Sequence, residues 1–509
     1  MNKKITNMAT YLGLFSIFIF IILSIYNKAN IYFCTSIVLW GLIFIYFFRN
    51  EDYFLCGFLF AFFGFLLSGE LFYNIFGIVD IRKFEVAVNN HAFISMVIAL
   101  IGIFLGGFII SIIKNSKNKK GIKEYNNSIN NKNGIIWSRL IAILFFISSL
   151  FISVLLIIEK INVINDKGFL NSYLGFNSIY PQVFQSYAQL IDVSYAFFLA
   201  TMPKKRTFYI ISFLYIGFSA LNLLTFQRMY FFLNYLLFSL YIISRDNMDK
   251  RFICKEDIDK KSKWLNWKST LLIIILAIVI IPTMNYINDL RFGRHKIPGN
   301  KDEIKTSISD NLNEIEEIAV NQGFSINVIK WGYKYKDELP NKNYIFGSLI
   351  DFVENGSFSS RFLGKNNGWY REGNSVEMAT LSHNYAHAIS YKVLGEKYLS
   401  GRGVGSSYIA EAYHDFGYIG VFLISVLIGV ILKFVFSSRS IIILFIGFYT
   451  YNYFLKMPRA NFDGFLLEFI SIKNILFVVI IMLGQYILSN KFKTFSERFF
   501  SNKLFKNIW

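Results

Sequence analysis

Apolar runs close to the ~20 residues that a helix needs to cross a bilayer recur along almost the whole chain. They fall near 8–26, 31–48, 53–73, 92–113, 135–158, 183–201, 207–225, 228–244, 270–288, 412–436, 440–455 and 471–489, separated by short polar connections. A backbone in hydrocarbon must satisfy its own hydrogen bonds, so helices are the expected spanning elements. The pattern predicts an all-α fold, a polytopic transmembrane bundle of about 12 spans. Lys3 and Lys4 precede the first run as in a signal peptide, but no small-residue cleavage site follows and a second run comes at once. The first span is therefore expected to stay in the protein.

The pattern is interrupted at length only over residues 289–410. Within them Ile304, Ile308, Leu312, Ile315, Ile318 and Ala319 recur at helical spacing, which predicts a mostly helical cap on the bundle. The expected organisation is 1–288 with nine helices and short loops, 289–410 as a large extracytoplasmic loop, and 411–509 with three helices and a cytoplasmic tail.

Composition agrees with the membrane class: 54% of the 509 residues are hydrophobic and 17% charged. A net charge of +19 would suit nucleic acid only if the basic residues shared one surface. They are instead divided among alternate connections, at Lys3/Lys4, Lys114 to Lys123, Lys204 to Arg206, Lys250 to Lys263 and the tail from Lys491 to Lys506. That alternation places these connections and both termini in the cytoplasm. Residues 289–410, with fifteen Lys/Arg against fourteen Asp/Glu, then face outward. Cys34, Cys56 and Cys254 are scattered and give neither a disulfide framework nor a zinc spacing.

Several residues have chemistry that an apolar bundle does not need. Arg228 lies in a connection so short that it must sit at the N-terminus of a returning helix. The positive dipole end there disfavours an arginine unless an anion is bound, which points to phosphate; lipid-headgroup anchoring is the alternative. Arg291 and Arg294 are three apart, on one face if the preceding helix continues, and two guanidinium forks can grip a pyrophosphate. His383 and His387, at i and i+4, suit general-base or proton-relay work. Zinc is poorly supported, since no glutamate follows His383 and no third ligand is evident. Arg402, Gly403, Gly405, Ser406 and Ser407 lead into the tenth span, where glycines let the backbone approach a ligand and successive N–H groups can cradle an anion. Glu411 would enter the membrane edge as a carboxylate, which is costly without a partner. Asp257/Asp259 and the cluster Glu314, Glu316 and Glu317 read as solvated charge.

The stretch from Gly403 to Tyr413, followed by Phe416-Gly417-Tyr418-Ile419-Gly420, resembles the glycine-serine-glutamate signature of Wzy-type O-antigen and capsular polysaccharide polymerases. The large late loop, the arginine opening a mid-chain helix and Asn321-Gln322-Gly323-Phe324-Ser325 are similar to that family too. The resemblance implies a bacterial cytoplasmic-membrane enzyme without cofactor, metal or nucleotide sugar. It would transfer a growing glycan, with inversion, from undecaprenyl pyrophosphate to a lipid-linked repeat unit at the outer face. The partners it implies are undecaprenyl-pyrophosphate-linked glycans and membrane lipids, with flippase and chain-length regulator proteins beside them, and no nucleic acid. On this reading Arg228, Arg291, Arg294 and the 402–407 segment hold pyrophosphate, and His383 is the first candidate base with Glu411 second. His387 and Tyr413 relay protons or bind glycan, and Trp331, Trp369 and Tyr370 are sugar-stacking candidates. An O-antigen ligase would share this logic with another acceptor. A lipid-linked oligosaccharide flippase would show short loops on both faces and related halves, whereas here one outer loop dominates.

Overall fold

A computed structural model of the chain describes residues 30–71, 84–119, 132–174, 178–252, 264–276, 325–356 and 373–491, with the single positions 323, 358, 360, 364 and 370. Every regular element among them is helical. Among the described residues, seven helices are long and apolar enough to cross a membrane, or eight if the bent pair Gly464–Ile470 and Ile472–Leu488 forms one span. Several expected spans depart from this set for identifiable reasons. The 183–201 run forms the consecutive helices Gln182–Ala188 and Leu190–Ala200, with Gln189 between them at φ −67° and ψ −13°, and polar Gln185, Gln189 and Asp192 dilute its hydropathy. The 228–244 run lies in the helix Arg228–Phe252, where Tyr230, Asn234, Tyr235 and Tyr241 dilute the hydropathy. The 8–26 run, most of 270–288 and the cap pattern at 304–319 lie outside the described residues.

The chain groups into two compact units. The first comprises Met1–Ile113, Ile308–Phe434 and Tyr453–Leu467; the second comprises Lys114–Ser307, Val435–Asn452 and Glu468–Trp509.

In the first unit, helix Val86–Lys119 packs on the segment 418–436 through small residues. Gly102 and Gly106 form a G-x-x-x-G spacing, which lets helix backbones approach where lipid supplies no hydrophobic drive. A Cβ at Gly106 would lie 2.1 Å from the Val426 carbonyl oxygen, and one at Gly429 would lie 2.3 Å from that of Ile103. A second close approach joins Gly323 to Gly69, where a Cβ on Gly323 would sit 2.2 Å from the Gly69 nitrogen. Further along the sequence, buried Lys330 pairs with Glu70 and lies over the rings of Phe84 and Phe93 at 5.2 and 5.7 Å. Such a buried pair specifies which surfaces meet more than it adds stability.

The expected tenth span, 412–436, is not a single straight helix. Gly417 adopts φ 62° and ψ −153°, a conformation open to glycine and strained for other residues. Tyr408 Oη and Ser425 Oγ lie 3.3 Å apart, although 17 residues of straight helix would separate their backbones by about 25 Å. The chain therefore doubles back at Gly417: 408–416 forms a short arm packed along 418–436, and a Cβ at Gly420 would meet the Ala412 carbonyl oxygen at 2.4 Å. Lys433, near the far end of the long arm, pairs with Asp52.

In the second unit, helices Lys132–Leu174, Leu190–Ala200 and Ile472–Lys491 pack together. The carbonyls ending Leu190–Ala200 have no intrahelical donors, and two buried arginines supply them. Arg139 donates to Thr201 Oγ1 at 3.0 Å and Thr201 O at 2.6 Å, while Arg245 donates to Met202 O at 3.0 Å and pairs with Asp249 at 2.6 Å.

Because the glycine contacts set how closely the first unit's helices approach, Gly106→Ala should lower thermal stability in detergent by about 1–3 kcal/mol through overpacking. Gly217→Ala, where a Cβ meets nothing within 4 Å, should be neutral or stabilising by up to about 1 kcal/mol. Equal melting behaviour for the two variants would contradict the packing account.

Candidate active site in the first unit

The short arm 408–416 begins a network of buried carboxylates bonded to main-chain N–H groups. Glu411 has no exposed surface. It accepts from Ser406 Oγ at 2.6 Å with one oxygen and from Phe462 N–H at 3.0 Å with the other. One turn on, the Asp415 side chain is fully buried, and its Oδ2 accepts from the N–H groups of Tyr344 and Ile345 at 2.8 and 2.9 Å. Asp463 accepts from Leu349 N–H at 3.0 Å. Asp351 accepts from the N–H of His383 with both oxygens, at 3.0 and 2.9 Å, and from Asn355 Nδ2 at 2.9 Å. Burial pushes the carboxyl groups of Asp351 and Asp463 above their ordinary range, partly offset by these donors. Tyr344, Tyr385 and His414 pack edge-on against one another beside this network. Burial, with the Asp415 charge in addition, raises the Tyr344 phenol.

The network leaves one histidine well placed for chemistry. His383 Nδ1 lies 3.0 Å from the Asn343 carbonyl oxygen. A carbonyl only accepts, so Nδ1 carries the proton and Nε2 is the basic nitrogen. The ring is partly exposed, with 19% of its side chain accessible. His387 differs: its Nδ1 lies 2.9 Å from Tyr398 Oη, which itself donates to Ser375 O at 3.2 Å, and burial lowers the ring's basicity. The expected placement of the two histidines on one helical face is corrected here. Asn384 caps the helix Tyr385–Leu394 by accepting from Ala386 N–H at 3.0 Å, so His383 lies before the helix and is turned away from its periodicity.

A family model described as O-antigen polysaccharide polymerase Wzy matches residues 8–491. The chain belongs to this family. No curated protein and no solved structure matches it significantly. Membership in the Wzy family, together with the apolar helices, makes this a multi-pass membrane protein of O-antigen polysaccharide synthesis.

Within this Wzy-family chain the predicted site residues have separate placements. Glu411, Ser406 and Ser407 come together at the start of the short arm, where Ser407 Oγ is buried without a hydrogen-bond partner among the described residues. Gly405 has φ +82°, which requires glycine. The Val404 N–H is taken by Ser390 Oγ at 3.0 Å, and exposed Arg402 has its carbonyl held by Asn374 Nδ2 at 3.1 Å. Gly403, exposed, would bring a Cβ to 3.4 Å from Ser390 Oγ. Tyr413 joins an aromatic cluster with His91 at 4.1 Å and Tyr418 at 5.0 Å. Trp331 packs near Phe84 at 6.1 Å. Arg228 belongs to the second unit and opens the helix Arg228–Phe252 as expected, half-buried after a left-handed Phe226. Arg291, Arg294 and Trp369 lie outside the described residues.

Asp351, Asp415 and Asp463 were missed by sequence reasoning. Asp415 follows Glu411 by four residues in an apolar stretch, a spacing that could have flagged it. Asp351, between Ile350 and Phe352, and Asp463, between Phe462 and Gly464-Phe465, also have apolar neighbours that could have flagged them.

Glu411→Ala would leave a buried hydroxyl and a buried N–H without acceptors, at about 1–3 kcal/mol each. Thermal unfolding of the membrane-inserted protein should show a clear loss for Glu411→Ala and a smaller one for Glu411→Gln, which retains one acceptor oxygen. Unchanged stability in Glu411→Ala would mean that the network does not hold this part of the unit together.

Proposed function

We propose that this Wzy-family chain joins repeat units by transferring a growing glycan from undecaprenyl pyrophosphate to the non-reducing sugar of another lipid-linked repeat unit, at the outer face of the cytoplasmic membrane. The observation that carries the reading is the orientation of His383, with Nδ1 occupied by a main-chain carbonyl and Nε2 left basic. In the step, the acceptor hydroxyl oxygen attacks the anomeric carbon as the bond to the pyrophosphate oxygen breaks with its electron pair. The hydroxyl proton passes to His383 Nε2, and the anomeric configuration inverts.

Glu411 serves better as a positioning group than as the base, because both its oxygens already accept hydrogen bonds and its side chain is sealed from solvent. The departing pyrophosphate needs positive charge aimed at the developing anion. Arg228 at its helix N-terminus, with Arg291, Arg294 and Arg402, is assigned that role, supported by helix polarity and the planar guanidinium fork. Gly403, Gly405, Ser406 and Ser407 are assigned to shaping the backbone beside the pyrophosphate. His387 and Tyr413 are placed on the glycan side. Guanidinium groups supply the charge stabilisation without a metal. Capsule as well as O-antigen repeat units fit the same chemistry, and flippase and chain-length regulator proteins are the expected neighbours.

Glycan length per unit of inserted protein tests this reading. A charge-stabilising group of this kind contributes roughly 3–4 kcal/mol to the barrier, so Arg228→Ala should insert normally while elongation falls about a hundredfold to a thousandfold. Arg228→Lys should recover only part of it, since lysine lacks the bidentate fork. Full rescue by lysine, with reduced abundance for alanine, would make Arg228 a headgroup anchor instead.

A further inference from the structure

His383 is held by a single eight-residue helix, Gly347–Glu354, at three successive points. At its start, Gly347 lies so close to the His383 main chain that a Cβ there would sit 1.8 Å from the His383 carbonyl oxygen. One turn later, Asp351 takes the His383 N–H with both carboxylate oxygens. At its last residue, Glu354 brings Oε2 to 3.9 Å from His383 Nε2. Positions 347, 351 and 354 are spaced i, i+4 and i+7, which is one face of a helix. The first two contacts fix the backbone of the histidine, and the third faces the nitrogen that the carbonyl of Asn343 leaves basic.

We propose that Glu354 is the positioning and charge-balancing partner of His383, an assignment that rests on the proposed polymerase chemistry. A separation of 3.9 Å is too long for a direct hydrogen bond. An acceptor hydroxyl can therefore approach Nε2 without displacing Glu354. When the hydroxyl proton reaches Nε2, the imidazolium forms beside a carboxylate, and it returns the proton to water after the glycosidic bond is made. Among the described residues, the other charged and titratable groups here are Asp351, on the histidine's backbone, Lys342, whose ammonium donates to the carbonyls of Leu381 and Ser382, and Tyr370, which feels the charge of Asp351. Lys342 feels both Asp351 and Glu354. The Glu354 side chain is 57% accessible, so an isosteric replacement disturbs packing little.

The test is steady-state polymerisation by the full-length purified protein with lipid-linked repeat units, for wild type, Glu354→Gln, Glu354→Asp and His383→Ala. Glu354→Gln should lower kcat roughly tenfold to a hundredfold, the scale for groups that orient a functional histidine from behind it, with little change in KM. Glu354→Asp should restore part of the lost kcat. A wild-type kcat in Glu354→Gln, with His383→Ala inactive, would overturn this inference and leave the proposed reaction intact. Full activity in His383→Ala would instead remove the base on which the proposed reaction depends. Loss of Glu354→Gln and Glu354→Asp from the membrane would also overturn it, making Glu354 a folding residue.

Discussion

A buried carboxylate must find donors, and four in the first unit each find at least one in a main-chain N–H group. Glu411 bonds to Phe462 N–H, Asp415 to Tyr344 and Ile345, Asp463 to Leu349, and Asp351 to His383. Each bond ties a side chain from one segment to the backbone of another. A lost donor or acceptor in such a place costs more than the bond itself contributes, because the remaining group stays desolvated. The consequence is that the main chain at Tyr344, Ile345, Leu349 and His383 takes its position from carboxylates elsewhere in the sequence. His383 inherits that position through Asp351 and Asn343.

This arrangement divides the labour that sequence alone leaves open between His383 and Glu411. A general base needs an accessible lone pair held in a fixed direction. His383 has one, with its opposite nitrogen anchored and its ring partly exposed. Glu411 has neither a free oxygen nor exposure, and its place in the first turn of a helix suits a carboxylate for structural reasons. The glycines nearby serve the same end. Gly405 and Gly417 take conformations that let the chain enter the short arm and then double back, which is how Glu411 and Asp415 are carried to their partners.

Hydropathy makes the helices legible where they are long and uniformly apolar: 31–49, 53–71, 86–114 and 205–225 appear within a few residues of expectation. It fails at Gly417. A run of apolar residues reports burial in lipid or protein, not direction, and the reversal depends on one positive φ that the apolar pattern does not encode. The site was legible in part for the same kind of reason. Glu411 stands out because a carboxylate in an apolar run is costly. Asp351 and Glu354 lie far from His383 along the chain, on a separate short helix, so their hold on it emerges only from the tertiary contacts. The i,i+4 spacing of His383 and His387 misled, because Asn384 takes the cap position between them.

The central claim is that the chain elongates a lipid-pyrophosphate-linked glycan with His383 as the base and without a metal. The most direct measurement is polymer formation by the purified protein in liposomes, supplied only with the undecaprenyl-pyrophosphate-linked repeat unit and excess chelator, and resolved by length. The account predicts a ladder of whole repeat units from the wild-type protein and none from His383→Ala at equal insertion. A ladder from His383→Ala, or a wild-type ladder that appears only when a divalent ion is restored, would contradict it.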